Sequence, residues 1–359
     1  MSVATAIVTA DILTPELAAT AVKNALKKIP AKQANSVLLY LSEEFASNPQ
    51  PAIKAAAKAA STTQIMGCTA TGIFTEDDWV MDGAAAAAMV FCGDYHLTGV
   101  IPNAQENNAL RMTLVAPNAI FTHWLESPSA KFGGVSGDAT GRGPFSVWQN
   151  AKGTTQGYCE LQINGALGVV AASHGLRILG AARRISKAQG FDVQEIGNSK
   201  ALSTLVYQAK KFRLSEPLPT HQLMAVYANK ASDIEHGDYF VSPIISGNEV
   251  DLSVTLATEL QSNQWLAWAI RDVDAAQQDI VGVTNQLKKK LARLPRFGLM
   301  FSSVGRGPYF YDGRDLDLAL VKTVLPKMPI IGFYGNGEIA PILGKNTILP
   351  YSTVLGLFA

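Results

Sequence analysis

The chain has 359 residues, of which 48% are hydrophobic and only 16% are charged. Its 30 Lys and Arg residues balance 29 Asp and Glu residues, so the formal net charge at pH 7 is +1. This balance excludes nucleic acid as the default partner, because a nucleic-acid binder needs a surplus of basic groups. The apolar content excludes a disordered chain. The shortage of charge predicts extensive burial between two lobes, with room for a homo-oligomeric interface.

The most apolar stretches, 83–91 and 163–182, are too short or too interrupted by polar residues to cross a bilayer. The N-terminus lacks the basic start and long apolar run of a signal peptide. The cysteines have no metal-ligand spacing, and they are Cys68, Cys92 and Cys159. We therefore expect a cytoplasmic protein with no membrane insertion, no metal and no cofactor.

The first part of the chain alternates between helical and strand patterns. Apolar residues at helical spacing follow Thr14, and the nearly continuous apolar run 36–41 is typical of a strand covered on both faces. Residues 51–60 are rich in Ala and Lys and predict a helix. Residues 65–74 predict a strand that enters a turn bounded by Gly67 and Gly72.

The middle of the chain is richer in strand patterns. The segments 157–163 and 166–173 predict a hairpin that turns at Asn164-Gly165. A helix is predicted over 199–212, strands over 238–245, 249–255 and 265–270, and a helix over 275–292. A glycine cluster extends from Ala130 to Gly143, and its loop from Gly133 to Gly143 is either a lid or an ordinary connection.

The last sixty residues repeat the order of the first part. A strand over 297–302, a helix over 315–325, a strand with a glycine turn over 330–339 and a closing strand over 352–358 are predicted. Glycines lie five apart in both places, at 67 and 72 and again at 332 and 337. We therefore predict an internal duplication and an α/β fold, with α+β as the alternative. Two lobes, 1–215 and 216–359, would pack mixed sheets together at the centre with helices outside.

Glycine turns let backbone N–H groups approach a small molecule closely, so the two turns are candidate ligand sites. The alternative is a pair of plain strand ends that face water. Arg306, between two glycines at a strand end, is either a clamp for a carboxylate or phosphate or a surface arginine. His174 is either a pocket residue or a hydrogen-bonded core histidine, and Cys68 is either a nucleophile or a buried inert thiol. The glycine patterns of phosphate and dinucleotide binding are missing from the first turn.

Five segments together resemble the FIST domain family, and the resemblance runs from about residue 35 to about residue 358. They are Gly-Cys-Thr-Ala-Thr-Gly at 67–72, Gly133-Gly134, Ser173-His174-Gly175, Phe-Ser-Ser-Val-Gly-Arg at 301–306 and Gly-Phe-Tyr-Gly-Asn-Gly-Glu-Ile-Ala-Pro at 332–341. The family is regarded as intracellular sensory domains for small ligands such as amino acids, beside bacterial signalling modules and within a eukaryotic F-box adaptor. The resemblance thus implies a stand-alone sensory protein with an N-terminal and a C-terminal FIST segment. Ser303 stands where the family often has Cys, which argues against a thiol-based role.

We therefore predict that a small polar metabolite, for example an amino acid, binds between the lobes. Arg306 would clamp its anionic group, Glu338 would pair with an amine or hydroxyl, and the glycine turns would supply backbone donors. The predicted ligand-binding residues are Gly67, Cys68, Thr69, Thr71, Gly72, Gly134, His174, Arg306, Tyr334, Gly335, Asn336, Gly337 and Glu338. Two alternatives stay open. One is an enzyme with Cys68 or Glu338 in a chemical role, and the other is an oligomeric scaffold; a signalling protein is a further expected partner.

Overall fold

The computed structural model describes residues 2–100, 109–137, 143–215 and 217–359. Contacts divide the chain into two compact units, which we call unit 1 (Met1–His174 with Asp279–Ala359) and unit 2 (Gly175–Gln278). The two predicted lobes, 1–215 and 216–359, are the FIST-like segments of the sequence and are not the same as these two units. The boundary between residues 215 and 216 stays a prediction.

The described elements are helices and strands, with long runs of consecutive strands in the middle of the chain. The helices are α1 (Glu16–Lys27), α2 (Gln50–Ala60), α3 (Thr122–Leu125), α4 (Ala201–Lys211), α5 (Ala231–Glu235), α6 (Val273–Leu291) and α7 (Leu316–Val324). The strands up to residue 173 are β1 (Val3–Ala10), β2 (Ser36–Ser42), β3 (Ile65–Ala70), β4 (Gly72–Thr75), β5 (Trp79–Val80), β6 (Ala84–Phe91), β7 (His96–Gly99), β8 (Arg111–Val115), β9 (Lys131–Val135), β10 (Val147–Gln149), β11 (Lys152–Gly153), β12 (Tyr158–Asn164) and β13 (Gly168–Ser173). The strands of unit 2 are β14 (Leu176–Ile178), β15 (Arg183–Gln189), β16 (Asp192–Ile196), β17 (Ser199–Lys200), β18 (Leu223–Ala228), β19 (Phe240–Asn248), β20 (Ser253–Leu256) and β21 (Trp265–Arg271). The final strands are β22 (Phe297–Ser303), β23 (Ile330–Gly335), β24 (Glu338–Ile342), β25 (Lys345–Leu349) and β26 (Thr353–Phe358). None of these helices combines the length and the apolar character that crossing a bilayer requires.

The first sheet of unit 1 has the strand order β1-β6-β2-β3-β10-β11. The strands β2 and β3 are parallel, and α2 connects them. β6 lies between β1 and β2 and pairs with both, although its run of five alanines is a helix-favouring composition. Because the alanine side chains are small, α1 and α2 pack closely on this face of the sheet.

The second sheet has the order β13-β26-β22-β23-β4-β5, which matches the first sheet strand for strand over its first four positions. Here β22 and β23 are the parallel pair, α7 connects them, and α6 and α7 cover the outer face. This shared order is what an internal duplication would produce, and the duplication itself stays a prediction.

The third sheet, β25-β24-β9-β8-β12-β7, combines strands from both ends of the chain. The inner faces of all three sheets meet in one aromatic core. The Tyr40 and Phe333 rings lie 5.0 Å apart, and the Phe132 and Phe301 rings lie 6.1 Å apart. The predicted α/β class, with mixed sheets packed together and helices outside, is confirmed for unit 1.

Unit 2 is built on antiparallel strands. Among its described strands, β21 pairs with β15 on one side and with β18 on the other, so that β21-β15-β16-β20-β19-β18 closes into a ring. Apolar side chains of these strands and of α4 are buried together in a single cluster, which includes Ile185, Leu205 and Trp268. Unit 2 therefore has a hydrophobic core of its own.

Most predicted elements are present, but the structure differs from the predicted turns at three places. The Asn164-Gly165 hairpin is wrong, because β12 belongs to the third sheet and β13 pairs with β26 in the second. The turn between Gly67 and Gly72 is also wrong. Gly67 lies inside β3, where a Cβ would be 1.7 Å from the Leu39 carbonyl oxygen, and only Thr71 bends the chain before β4. The strand predicted to end at residue 245 continues through Asn248.

Candidate functional site

A row of polar side chains crosses the second sheet where β13, β22 and β23 end and β26 begins. Ser173, Thr353, Ser302 and Tyr334 are neighbours in register on adjacent strands. The hydroxyl oxygens of Ser302 and Thr353 are 3.2 Å apart, and all four residues are buried. Because strand ends are followed by loops, charged residues of these loops can lie next to this row of polar side chains.

Arg306 lies on this row as one half of a buried ion pair. Its Nε is 2.9 Å from Oδ2 of Asp317, and both side chains are 1% exposed. Arg306 also donates to the carbonyl oxygen and the hydroxyl of Ser173, at 3.2 and 3.0 Å. Burial lowers the pKa of Arg306, but the charge of Asp317, the neighbouring Tyr311 and the hydrogen bonds to both together outweigh burial and hold the pKa above its usual value. Asp317 thus compensates the charge of Arg306, and the role of Arg306 as a clamp for an anionic ligand group stays a prediction.

Tyr334 is engaged in the same network from the neighbouring strand. Its hydroxyl donates to Asp315, which caps α7 by accepting the backbone N–H of Leu318 at 2.9 Å. Burial, together with the charge of Asp317, raises the pKa of Asp315 to about 6. Tyr334 therefore faces the helix side of the sheet, where it supports Asp315.

His174 follows β13 and lies close to the start of β26. Its Nδ1 is 3.3 Å from the Ser352 hydroxyl, and the preceding Ser173 donates to Asp279 at 2.9 Å. Burial lowers the pKa of His174 to about 4, with Asp279 opposing the shift and Arg306 adding to it. His174 is consequently neutral near pH 7.

Glu338 is the first residue of β24, opposite Gly134 of β9 and Leu349 of β25. Its side chain is completely buried, and neither carboxyl oxygen meets a hydrogen-bond partner among the described residues. Burial raises the pKa of Glu338 well above its usual range. The backbone N–H groups of Ser352 and of Glu338 itself lie near the carboxyl but outside hydrogen-bonding geometry, and together with the charge of Arg306 they oppose the shift without cancelling it. A polar group therefore lies beside the Arg306–Asp317 pair. We call this group the Glu338 cluster, and its members are Glu338, Ser352 and His174.

The glycines around Glu338 allow a ring and a neighbouring backbone to approach closely. A Cβ on Gly134 would be 2.7 Å from the Phe333 ring, and one on Gly335 would be 2.4 Å from the Val135 carbonyl oxygen. The bend before β24 is tied to β9, because Val135 donates to the Gly337 carbonyl at 2.8 Å. The backbone N–H of Asn336 donates in turn to Val135, and its exposed side chain donates to the Ser136 carbonyl at 3.2 Å.

These contacts can be compared with known families. Residues 35–199 match the FIST N domain and residues 202–341 match the FIST C domain. The chain belongs to the FIST family. FIST domains are regarded as small-ligand sensory domains. His174 lies in the FIST N segment, and Glu338 lies in the FIST C segment together with Arg306. Ser352 follows both segments. The Glu338 cluster therefore combines residues of the two matched segments with one residue after them.

The FIST chain is also similar to mycobacterial proteins of unassigned function. It is 24% identical over 233 residues to an uncharacterised protein of Mycobacterium bovis and to one of Mycobacterium tuberculosis. A second uncharacterised M. tuberculosis protein is 23% identical over 232 residues. The matches cover about 64% of this chain and 60% of the relatives, so the chain spans less than two thirds of their length.

The first glycine stretch of the FIST N segment makes contacts of its own. Cys68 faces the central core, where burial and then the neighbouring Cys159 raise the pKa of its thiol. The Thr69 backbone donates to the Ser146 carbonyl at 2.9 Å, and the Thr71 hydroxyl donates to Gly137 at 3.0 Å. Gly72 contributes differently, because it pairs with Tyr334 across the strands. Residues 138–142 of the predicted lid or connection lie outside the described residues.

The FIST N segment holds a second buried charge cluster, which the sequence patterns did not indicate. The Glu160 carboxylate accepts from Lys131, from Arg111 at 3.0 Å and from the Trp124 indole at 2.8 Å. The Lys131 ammonium also lies 5.2 Å from the centre of the Trp124 ring. No spacing could have revealed this group, since its charged members lie on different strands of the third sheet. Among the described residues, no group of three or more His, Cys, Asp or Glu side chains is arranged to hold a metal.

Proposed function

We propose that this FIST protein is a sensory protein that binds a small polar metabolite through an amine at Glu338. The observation that carries the proposal is the Glu338 carboxyl, which is completely buried and receives no hydrogen bond among the described residues. The great majority of buried polar groups in proteins have a partner, and each exception calls for an explanation. An amine ligand is a partner that the polypeptide does not supply itself.

The chemistry of the cluster favours an ammonium group. A carboxylate accepts several hydrogen bonds and an ammonium donates three, so the two are complementary in charge and in number. His174 is neutral near pH 7 and therefore does not repel a cation. The charge of Arg306 is already compensated by Asp317 at 2.9 Å. If the ligand is an amino acid, we accordingly propose that its amine binds to Glu338. We do not assign its carboxylate to Arg306.

The test is a thermal-shift and calorimetric screen with ethylamine, ethanolamine, the standard amino acids and ethylene glycol. Ethylene glycol is the uncharged counterpart of ethanolamine. We expect stabilisation by one or more amines, at least tenfold weaker binding in Glu338→Gln, and no response to ethylene glycol. The matched control is Glu259→Gln, which changes an exposed glutamate of unit 2. Amine binding that is equally tight in Glu338→Gln, or a wild type that binds none of the amines, would overturn the proposal.

Two further features belong to the same proposal. The shared strand order of the first two sheets supports an internal duplication of a strand–helix unit. Three free, buried cysteines fit the reducing conditions of a cytoplasm, where a sensory protein would meet its metabolite. Cys68 is not assigned a chemical role, because its thiol is buried and its pKa is raised.

A further inference from the structure

We infer that a cationic ligand binds to Glu338 in exchange for a proton, so that each ligand bound releases one proton to the solvent. The inference rests on the proposed function and adds a regulation to it, since occupancy of the site would then report pH as well as metabolite concentration. It starts from the geometry of Glu338, whose two carboxyl oxygens are buried without a partner among the described residues.

An isolated carboxylate is strongly disfavoured in apolar surroundings, and a buried carboxyl without a partner is therefore held neutral. The strands on either side of Glu338 contribute Gly134 and Leu349, which offer no charge. Arg306 is the cation that acts on Glu338, but its ion pair with Asp317 reduces its effect. The raised pKa of Glu338 agrees with this geometry.

The elements packed against β24 contain few other groups that could take up or release the proton. They are β9, β13, β22, β25 and β26. No charged side chain occurs in β13, β22 or β26, and His174 after β13 is neutral above pH values of about 4. On β9, Lys131 is paired with Glu160, and on β25, Lys345 is exposed at the far end of the strand. Glu338 is thus the group whose protonation changes when a cation arrives.

The exchange balances in charge and in atoms. Before binding, Glu338 carries its proton on one carboxyl oxygen and is neutral. When an ammonium ligand binds, the O–H bond breaks, the proton goes to the buffer, and the carboxylate accepts hydrogen bonds from the ammonium. A ligand that enters as a neutral amine gives the same result, because it has already lost one proton to the solvent and takes the Glu338 proton in the site.

The first experiment is calorimetry of ethanolamine, or of the amino acid that stabilises most in the screen, at pH 7 in phosphate, HEPES and Tris. We expect the observed enthalpy to vary with the ionisation enthalpy of the buffer with a slope that corresponds to one proton released. We also expect Kd to fall about tenfold per pH unit between pH 6 and pH 8, as long as the free carboxyl stays neutral. A zero slope with a constant Kd, while Glu338→Gln still weakens binding at least tenfold, would overturn the inference and leave the proposed function standing.

Two measurements identify the group that releases the proton. Because His174 belongs to the Glu338 cluster, the proton count of His174→Gln is measured at ethanolamine concentrations that saturate this variant; we expect one proton, and a count of zero at saturation would assign the proton to the histidine and overturn the inference. Infrared difference spectra between wild type and Glu338→Gln should show a protonated carboxyl band that disappears when ethanolamine binds. A band of an ionised carboxylate in the free protein would overturn the inference without affecting the proposed amine site.

Discussion

The Arg306–Asp317 ion pair makes a strong prediction about stability. In Asp317→Asn the side chain keeps its shape but loses its charge, while Arg306 stays protonated in a site where it is 1% exposed. Besides the ion pair, Asp317 accepts from the Tyr311 hydroxyl at 2.6 Å and from the Thr353 hydroxyl at 2.9 Å. The asparagine amide can replace only part of these interactions, because one of its two ends donates instead of accepting.

The expected loss of stability is about 3–5 kcal/mol, which is typical when one partner of a buried ion pair is removed. Full burial of both side chains means that solvent does not screen the uncompensated charge. A double variant, Arg306→Met with Asp317→Leu, removes both charges, and we expect it to be more stable than Asp317→Asn alone. Comparing the free energies of unfolding of these two variants separates the cost of an unpaired buried charge from the net contribution of the ion pair.

The assay is urea unfolding followed by tryptophan fluorescence. Replacing Trp265 and Trp268 by Phe leaves tryptophans only in unit 1, so the signal reports the unit that holds the ion pair. The control is Asp77→Asn, which breaks the exposed Lys28–Asp77 pair and should cost less than about 1 kcal/mol. If Asp317→Asn costs no more than Asp77→Asn, the buried charge of Arg306 does not depend on Asp317 for its compensation, and the reasoning is refuted.

Burial and close contact lead to three further predictions. The pKa of His174 is about 4 in the folded chain, against an ordinary value of 6.5. Between these two values the unfolded chain binds a proton at His174 and the folded chain does not, so the free energy of unfolding falls as the pH drops from 6.5 toward 4. Urea titrations should show a loss of about 2 kcal/mol from this group between pH 7 and pH 5, which His174→Gln lacks; equal losses in both proteins would contradict the shift. Gly67→Ala should destabilise by about 3 kcal/mol or more, because its Cβ would lie 1.7 Å from a backbone oxygen, whereas Gly282→Ala in the exposed, open face of α6 should stabilise by up to about 1 kcal/mol. Both glycine variants are measured by urea unfolding, and equal stabilities would contradict the close approach at Gly67. Cys68 should resist iodoacetamide at pH 8 in the native protein and react in urea, as mass spectrometry would show; rapid native labelling would mean that the thiol is accessible.

The local elements were predictable where one physical cause dominated. The apolar runs at 36–41 and 297–302 are strands that are buried along their whole length, as short apolar runs in strands covered on both faces typically are. The alanine run in β6 shows the limit of local composition. It favours a helix by itself, yet it pairs with β1 on one side and β2 on the other, and these long-range hydrogen bonds decide the outcome.

The Asn164-Gly165 segment shows the same limit for turns. Gly165 has a φ of +81°, as an Asn-Gly turn requires, but the strands on its two sides belong to different sheets. A turn sequence determines that the chain bends locally. Which strand becomes the neighbour of β13 depends on the residues of β26, almost two hundred positions later.

The sequence by itself determined the family, the α/β class and the places where polar residues follow buried strands, among them His174, Arg306 and Glu338. Only the tertiary structure decided the surroundings of each of these groups. Arg306 is compensated by Asp317, His174 is neutral beside Ser352, and Glu338 is buried without a partner among the described residues. The reason is electrostatic, because the charge state of a group depends on its burial and on the partners around it. Those partners come from distant parts of the chain, so no local pattern carries them.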